Sequence, residues 1–476
     1  MKNRKTFWML IGIICCSTSA MGYDEQALIR LKETRSCVKC DLSGANLKGA
    51  DLAGSDLYGA NLEGCNLDSA NLQESYLVGV NLKSARLNGA NLTSVLMEDA
   101  QLQGAQMQNS ILPNSQLSGA NLENTLLDDA DLTASMLYRT NFNGARLNRA
   151  HLNLTRMVRS QWTGAQLSQA DLTDADLHYS DMVGADLRKS ILKGVDFQDA
   201  DLGKADLRGA ALEGATIMGA NLLGANFAGI IYDHANFEGA ILDGAIFTKA
   251  LMVGASFKDA SLNNAIFFQA ELERANFENA QLENTDFEKA FLEDVNFSGA
   301  KVSQSRFRKA NLENANFQGA KLSNADFSQA KITGVNFAQA DLSNAVMPNL
   351  ILDGLDFSQG KLVETNLEQS SLKGANLSNV EMNHVNLKKA NLENALLNQS
   401  NLTGGNLEGA NLGHSSLEGA NLEGASLVKA DLSQANLKNA NFTKTNLQQA
   451  IMIGVNYQGT RFTDANRRGT VWEKTD

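Results

Sequence analysis

From Leu42 to Phe462 a large apolar residue occupies every fifth position, 85 times in succession, without insertion, deletion or register slip. Two residues before each of these lies Ala or another small residue in nearly every unit. The position between the two is Asn or Asp in 44 of the 85 units. A period of five matches neither the 3.6 of an α-helix nor the two of an ordinary strand. It fits a three-residue extended segment joined to the next by a two-residue turn. The small and the central apolar residue then share one face, and the residue between them points the other way. The last slot of the unit is often glycine, as in Gly44, Gly49, Gly54, Gly59 and Gly64, which suits a turn position needing positive φ.

The motif, as in Ala45-Asn46-Leu47 and dozens of later copies, resembles the A-(D/N)-L-x-x signature of the pentapeptide-repeat family over residues 40–464. That resemblance implies an all-β fold, a right-handed quadrilateral β-helix with four pentapeptides per coil. Twenty residues per coil gives about 21 coils, which at a strand spacing of roughly 4.8 Å predicts a rod on the order of 100 Å long. Between Phe227 and Phe357 the central residues largely alternate aromatic with aliphatic. Repeating every ten residues, the alternation predicts two aromatic ladders on opposite walls of the coil. The expected organisation is an export signal over 1–22, a short capping helix over 23–39, repeats over 40–464 and a C-terminal cap or tail over 465–476.

Composition agrees with a narrow tube. Aromatics make up only 6% of the chain although hydrophobic residues reach 43%, so small side chains must fill much of the interior. Lys2, Arg4 and Lys5 precede an apolar run from Phe7 to Cys16 and then small residues, the pattern of a signal peptide. A run of about ten residues is short of the roughly 20 that span a bilayer, so no stable membrane span is expected after cleavage. Losing three of the 41 basic residues leaves 38 against 53 acidic ones. The mature net charge of −15 argues against nucleic acid as a partner.

Candidate chemistry is sparse. His151, His178, His234, His384 and His414 fall on scattered outward slots, and no nucleophile-elbow, phosphate-loop or zinc-protease motif occurs, so neither catalytic residues nor a cofactor are expected. Cys37 and Cys40 form a C-x-x-C at the junction of cap and repeat, which leaves core packing, a local disulfide and metal or redox chemistry open. Asp176/Asp196, Asp181/Asp201 and Asp186/Asp206 are each twenty residues apart and therefore stacked. A divalent cation with oxygen ligands is a weak expectation there, set against screening by water and salt. Just before them, Arg139, Arg146, Arg149, Arg156 and Arg159 form a belt without acids over 132–170. Apolar residues replace Asn or Asp at Ile191, Ala211, Ile231, Leu251 and Phe291, one wall interrupted by Glu271, and Val253, Ile266 and Phe268 add apolar groups near it. A contiguous exposed apolar patch marks an interaction surface, so Ile191, Ile231, Leu251, Val253, Ile266, Phe268 and Phe291 are the candidate partner-binding residues.

These observations favour a non-catalytic exported protein that presents flat walls to an unknown protein partner. The family resemblance adds three further readings: a host-directed effector, an end-to-end homodimer, and a DNA mimic that binds a topoisomerase. Duplex DNA carries one charge per about 1.7 Å, against about one per 7 Å for −15 spread over the expected rod, so mimicry is the weakest of them.

Overall fold

The computed structural model describes residues 22–472. The export signal expected over 1–22 therefore lies almost wholly outside the described residues. The chain forms two compact units, Met1–Ala145 and Arg146–Asp476.

The first unit opens with helix α1, Glu25–Thr34, narrower than the 23–39 expected for the cap. Asp24 caps it, its side chain accepting from the Gln26 N–H, and Arg35 ends it in the left-handed conformation. Ala27 and Leu31 turn their side chains inward and are fully buried. Arg35 then donates to the Ala53 carbonyl and to the Asp51 carboxylate at 2.9 Å, tying the end of α1 to the first coils.

In each unit the chain winds in coils of twenty residues. Every bridge is parallel and joins residue i to i+20, from Ser36↔Asp56 to Asn121↔Asn141 in the first unit and from Arg146↔Gln166 to Ile451↔Val471 in the second. Bridges fall every five residues, so each coil has four sides. The bridging extends four residues before the expected start of the repeats and on to Val471, inside the segment assigned to a C-terminal cap.

The sequence pattern explains each slot. The residue after each central residue begins a turn closed by a backbone bond such as Ala45 N–H to Leu42 C=O, and the second turn residue has positive φ. Glycine accepts that conformation without cost, yet Lys, Asn, Gln and Asp also occupy it here. The Asn/Asp slot has two uses for its oxygen. Asn296 Oδ1 accepts the N–H of Ser298, two residues on, and also the side-chain amide of Asn316, one coil on. Asn276, Asn296, Asn316 and Asn336 form a continuous ladder of this kind. Some inner-slot hydroxyls are satisfied across coils, as where Ser75 and Thr125 donate to the carbonyls of Leu52 and Leu102, and others, such as Ser110 and Ser180, donate to the carbonyl three residues back.

The core of the second unit holds the two aromatic ladders that the alternation predicts. One runs from Phe227 to Phe327 and the other from Phe237 to Phe357, with successive rings stacked, as for Phe257 and Phe277 at 4.8 Å and 4°. Rings of opposite ladders meet edge to face, Phe267 and Phe277 at 5.7 Å and 88°. One rung departs from the pattern. Tyr232 fills a central slot, and its phenol donates to the Ala215 carbonyl at 2.7 Å. That is the acceptor the Asn236 N–H would otherwise use, and no bridge joins Thr216 to Asn236 among the described residues. Burial pushes the Tyr232 pKa up to about 12.

Candidate interaction surface

The wall singled out by the sequence lies in the second unit. Asp171, Ile191, Ala211, Ile231, Leu251, Glu271 and Phe291 bridge in succession and so form one column. Ile231 is 64% exposed, Phe291 46% and Ile191 40%, values that leave a large part of each apolar residue in water. Each sits where the repeat elsewhere places an amide or carboxylate, so neither the ladder nor the core requires an apolar group there. The other named residues sort differently. Val253 and Phe268 lie half-buried on the corners beside the column, and Lys289 Nζ lies 5.1 Å from the Phe268 ring centre. Ile266 stacks on Ile246 in the adjoining wall. Met218 and Leu223 are also exposed, but they lie on the two corners of the opposite wall, the one that holds Asn221 and Ile241, and are no part of this column.

The stacked aspartates are unequal. Arg188 donates to both oxygens of Asp186 and Arg208 to both oxygens of Asp206, each guanidinium holding its own carboxylate. The Arg188 bond holds the Asp186 carboxyl below the ordinary carboxylate range. Asp201 accepts from Gly203 N–H and the Asn221 amide, and Asp181 from Val183 N–H and the Thr163 hydroxyl. Among the described residues only the third pair gathers a metal-compatible set: Asp176, His178 and Asp196 bring ligand atoms within 4.8 Å of one another, with His178 Nδ1 against Asp176 Oδ1. Of the arginine belt, Arg156 bridges to Asp176 and the Arg159 guanidinium lies 5.7 Å from the Tyr179 ring.

Cys37 and Cys40 are joined by a disulfide, both buried, directly beneath α1. Cys65 is a buried free thiol donating to the Leu42 carbonyl, and burial pushes its pKa up to about 11. At the other end the four central positions of the last coil are Tyr457, Phe462, Arg467 and Trp472. Trp472 lies edge-on to Tyr457 and Phe462, and the Arg467 guanidinium sits 5.7 Å from the Phe462 ring centre. No helix among the described residues is long and apolar enough to cross a membrane.

Sequence models of one family cover this architecture. The model described as Pentapeptide repeats (8 copies) matches in eleven segments between residues 36 and 470, and Pentapeptide repeat region matches residues 270–347. The chain belongs to the pentapeptide-repeat family. Similar solved structures include HetL, a pentapeptide repeat protein involved in heterocyst differentiation regulation from the cyanobacterium Nostoc sp. It is 25% identical, over 52% of this chain and 88% of that one, with a TM-score of 0.21. A pentapeptide repeat protein of the Arabidopsis thaliana thylakoid lumen is 30% identical over 20% of this chain and 68% of its own, with a TM-score of 0.20. QnrB1, a plasmid-mediated fluoroquinolone resistance protein, is 21% identical over 46% of this chain and 87% of its own, with a TM-score of 0.22. No curated protein sequence matches the chain.

Proposed function

We infer that this pentapeptide-repeat protein is an exported, non-catalytic binding protein, a right-handed quadrilateral β-helix whose apolar wall between Ile191 and Phe291 docks a protein partner. The observation that carries the reading is the exposed column itself. Isoleucine at position 231 leaves an apolar side chain in water at a slot that the repeat elsewhere gives to an amide or carboxylate. Such a cost is recovered when a partner covers the surface. The basic n-region and the apolar run at the N-terminus support export, and N-terminal sequencing of the protein from its native source tests it: a start near Tyr23 is expected. Affinity capture from the exported fraction, comparing the native chain with Ile231→Asn/Leu251→Asn, tests the surface. Asparagine suits the outer slot, so the variant should fold and lose the partner; undiminished capture would sink the reading.

End-to-end pairing is not part of this proposal, because Arg467 places a charge in the terminal layer that a second copy would have to bury. A host-directed role rests on the same export signal, and detection of the protein inside host cells is the observation that would favour it.

A further inference from the structure

We propose that the partner of the Ile191–Phe291 wall is a second copy of this chain, docked side by side and parallel about a two-fold axis along the stack of coils. The proposal rests on the reading that this wall is an interaction surface and names its occupant. The two corners that flank the apolar column carry opposite charge. The corner preceding it, at 188/189, 208/209, 228/229, 248/249, 268/269 and 288/289, carries five cations and one anion. The corner following it, at 193/194, 213/214, 233/234, 253/254, 273/274 and 293/294, carries five anions and two cations. Several of these charges have no partner of opposite sign among the described residues, although Lys289 lies over the Phe268 ring and Asp233 and Glu293 accept hydrogen bonds from Val253 N–H and the Asn311 amide. Lys189, Lys249 and Lys289 form no ion pair among the described residues, and neither do Asp233, Glu273 or Glu293. Glu273 keeps a buried carboxylate oxygen with no hydrogen-bond partner.

Symmetry then selects the arrangement. A two-fold axis lying in the interface and parallel to the stack sets every column residue opposite itself, Ile231 on Ile231 and Leu251 on Leu251. It also lays the basic corner of each copy on the acidic corner of the other. At one level Lys289 meets Glu293, and Lys249 reaches between Asp233 and Glu273 one coil to either side. An axis across the stack, which makes the copies antiparallel, would lay acidic corner on acidic corner and is disfavoured by like-charge repulsion. The interruption of the column also finds a place: Glu271 faces its symmetry mate between the levels of Lys249 and Lys289, whose side chains cross from the facing corner. A surface that is apolar at its centre and opposite in sign at its two edges is self-complementary in the manner of an isologous interface. Six coils at ~4.8 Å extend about 29 Å, toward the small end of specific interfaces, so a weak dimer is expected.

Sedimentation of the exported chain, expected to begin near Tyr23 and so to lack Cys15 and Cys16, should show reversible dimer formation from about 1 to 200 μM at physiological salt. Lys249→Glu/Lys289→Glu should weaken it at least tenfold, and adding Glu273→Lys/Glu293→Lys should restore it. Because Cys37 and Cys40 are bonded and Cys65 is buried, Ile231→Cys introduces a lone accessible thiol. A short bismaleimide spanning the ~10 Å between packed sheet faces should couple the introduced thiol of one copy to that of the other. A chain that stays monomeric at 200 μM overturns the proposal, as does a dimer whose two introduced thiols cannot be coupled. If the chain is monomeric while Ile231→Asn/Leu251→Asn still abolishes capture of another protein, the second copy is overturned and the interaction surface stands. If capture is also unaffected, both fall.

Discussion

Replacing Phe277 by leucine probes how the tube is held together. The ring is fully buried, stacked on Phe257 at 4.8 Å and on Phe297 at 4.9 Å, and meets Phe267 and Phe287 edge to face at 5.7 and 5.8 Å. Leucine keeps the slot apolar but removes all four ring contacts. Aromatic pairs contribute about 0.5–1.5 kcal/mol each beyond area burial, so the low end gives a loss of about 2 kcal/mol. The coupling between neighbours is the sharper quantity. In a double-mutant cycle, Phe277→Leu and Phe297→Leu share a stacked pair and should couple by about 1 kcal/mol. Phe277→Leu and Phe337→Leu are three coils, or roughly 14 Å, apart and should be additive. Native-state hydrogen exchange reads both energies locally, for example at the Phe277 N–H bonded to the Asn296 carbonyl at 2.7 Å. If the adjacent pair is as additive as the distant one, the ladders merely fill space.

Other consequences can be checked in the same way. Asp196→Asn places an amide donor one coil above Asp176, as Asn221 already stands above Asp201; it should stabilise by about 0.5–1.5 kcal/mol, read as slower exchange around 176–196. Millimolar calcium should leave hydrogen exchange around 186–206 unchanged, because Asp186 and Asp206 are already held by Arg188 and Arg208; slowed exchange there would restore that pair as a cation site, and slowing confined to 176–196 would point instead to Asp176, His178 and Asp196. Cys37→Ala/Cys40→Ala removes a bond closing a four-residue loop, which chain-entropy reasoning values at about 2 kcal/mol; α1 should be cleaved faster by protease while the coils of the second unit keep their protection. The Arg35 hydrogen bond holds the Asp51 carboxyl below its ordinary value, so this tie of α1 is fully present above pH ~4. It is lost as pH falls through the depressed folded value, so cleavage near α1 should rise below about pH 4 and stay flat between about pH 5 and 7.

The coil was legible because one slot, the central apolar residue, repeats in a single register from Leu42 to Phe462. The aromatic ladders followed from counting in tens. What the pattern concealed was local chemistry. The stacked aspartates look alike as text, yet Arg188 and Arg208, two residues on, neutralise one pair while Asp176 and Asp196 are left with His178. Tyr232 reads as one more large apolar residue, but its hydroxyl needs a partner and takes the Ala215 carbonyl from the sheet. Cys40 sits on an inward small-residue slot, which favours plain packing, and the bond to Cys37 emerges only once the sulfurs are placed. The apolar column was visible at Ile231 and Leu251, whereas the opposite charge of its two corners appears only once residues twenty apart are stacked.

The most direct test of the account is hydrogen-exchange mapping of the native chain with and without the protein it captures in its own compartment. Added protection should be confined to the column and corners between residues 188 and 294. Protection that instead falls on the last coil, around Tyr457 and Trp472, or on the arginine belt would contradict it.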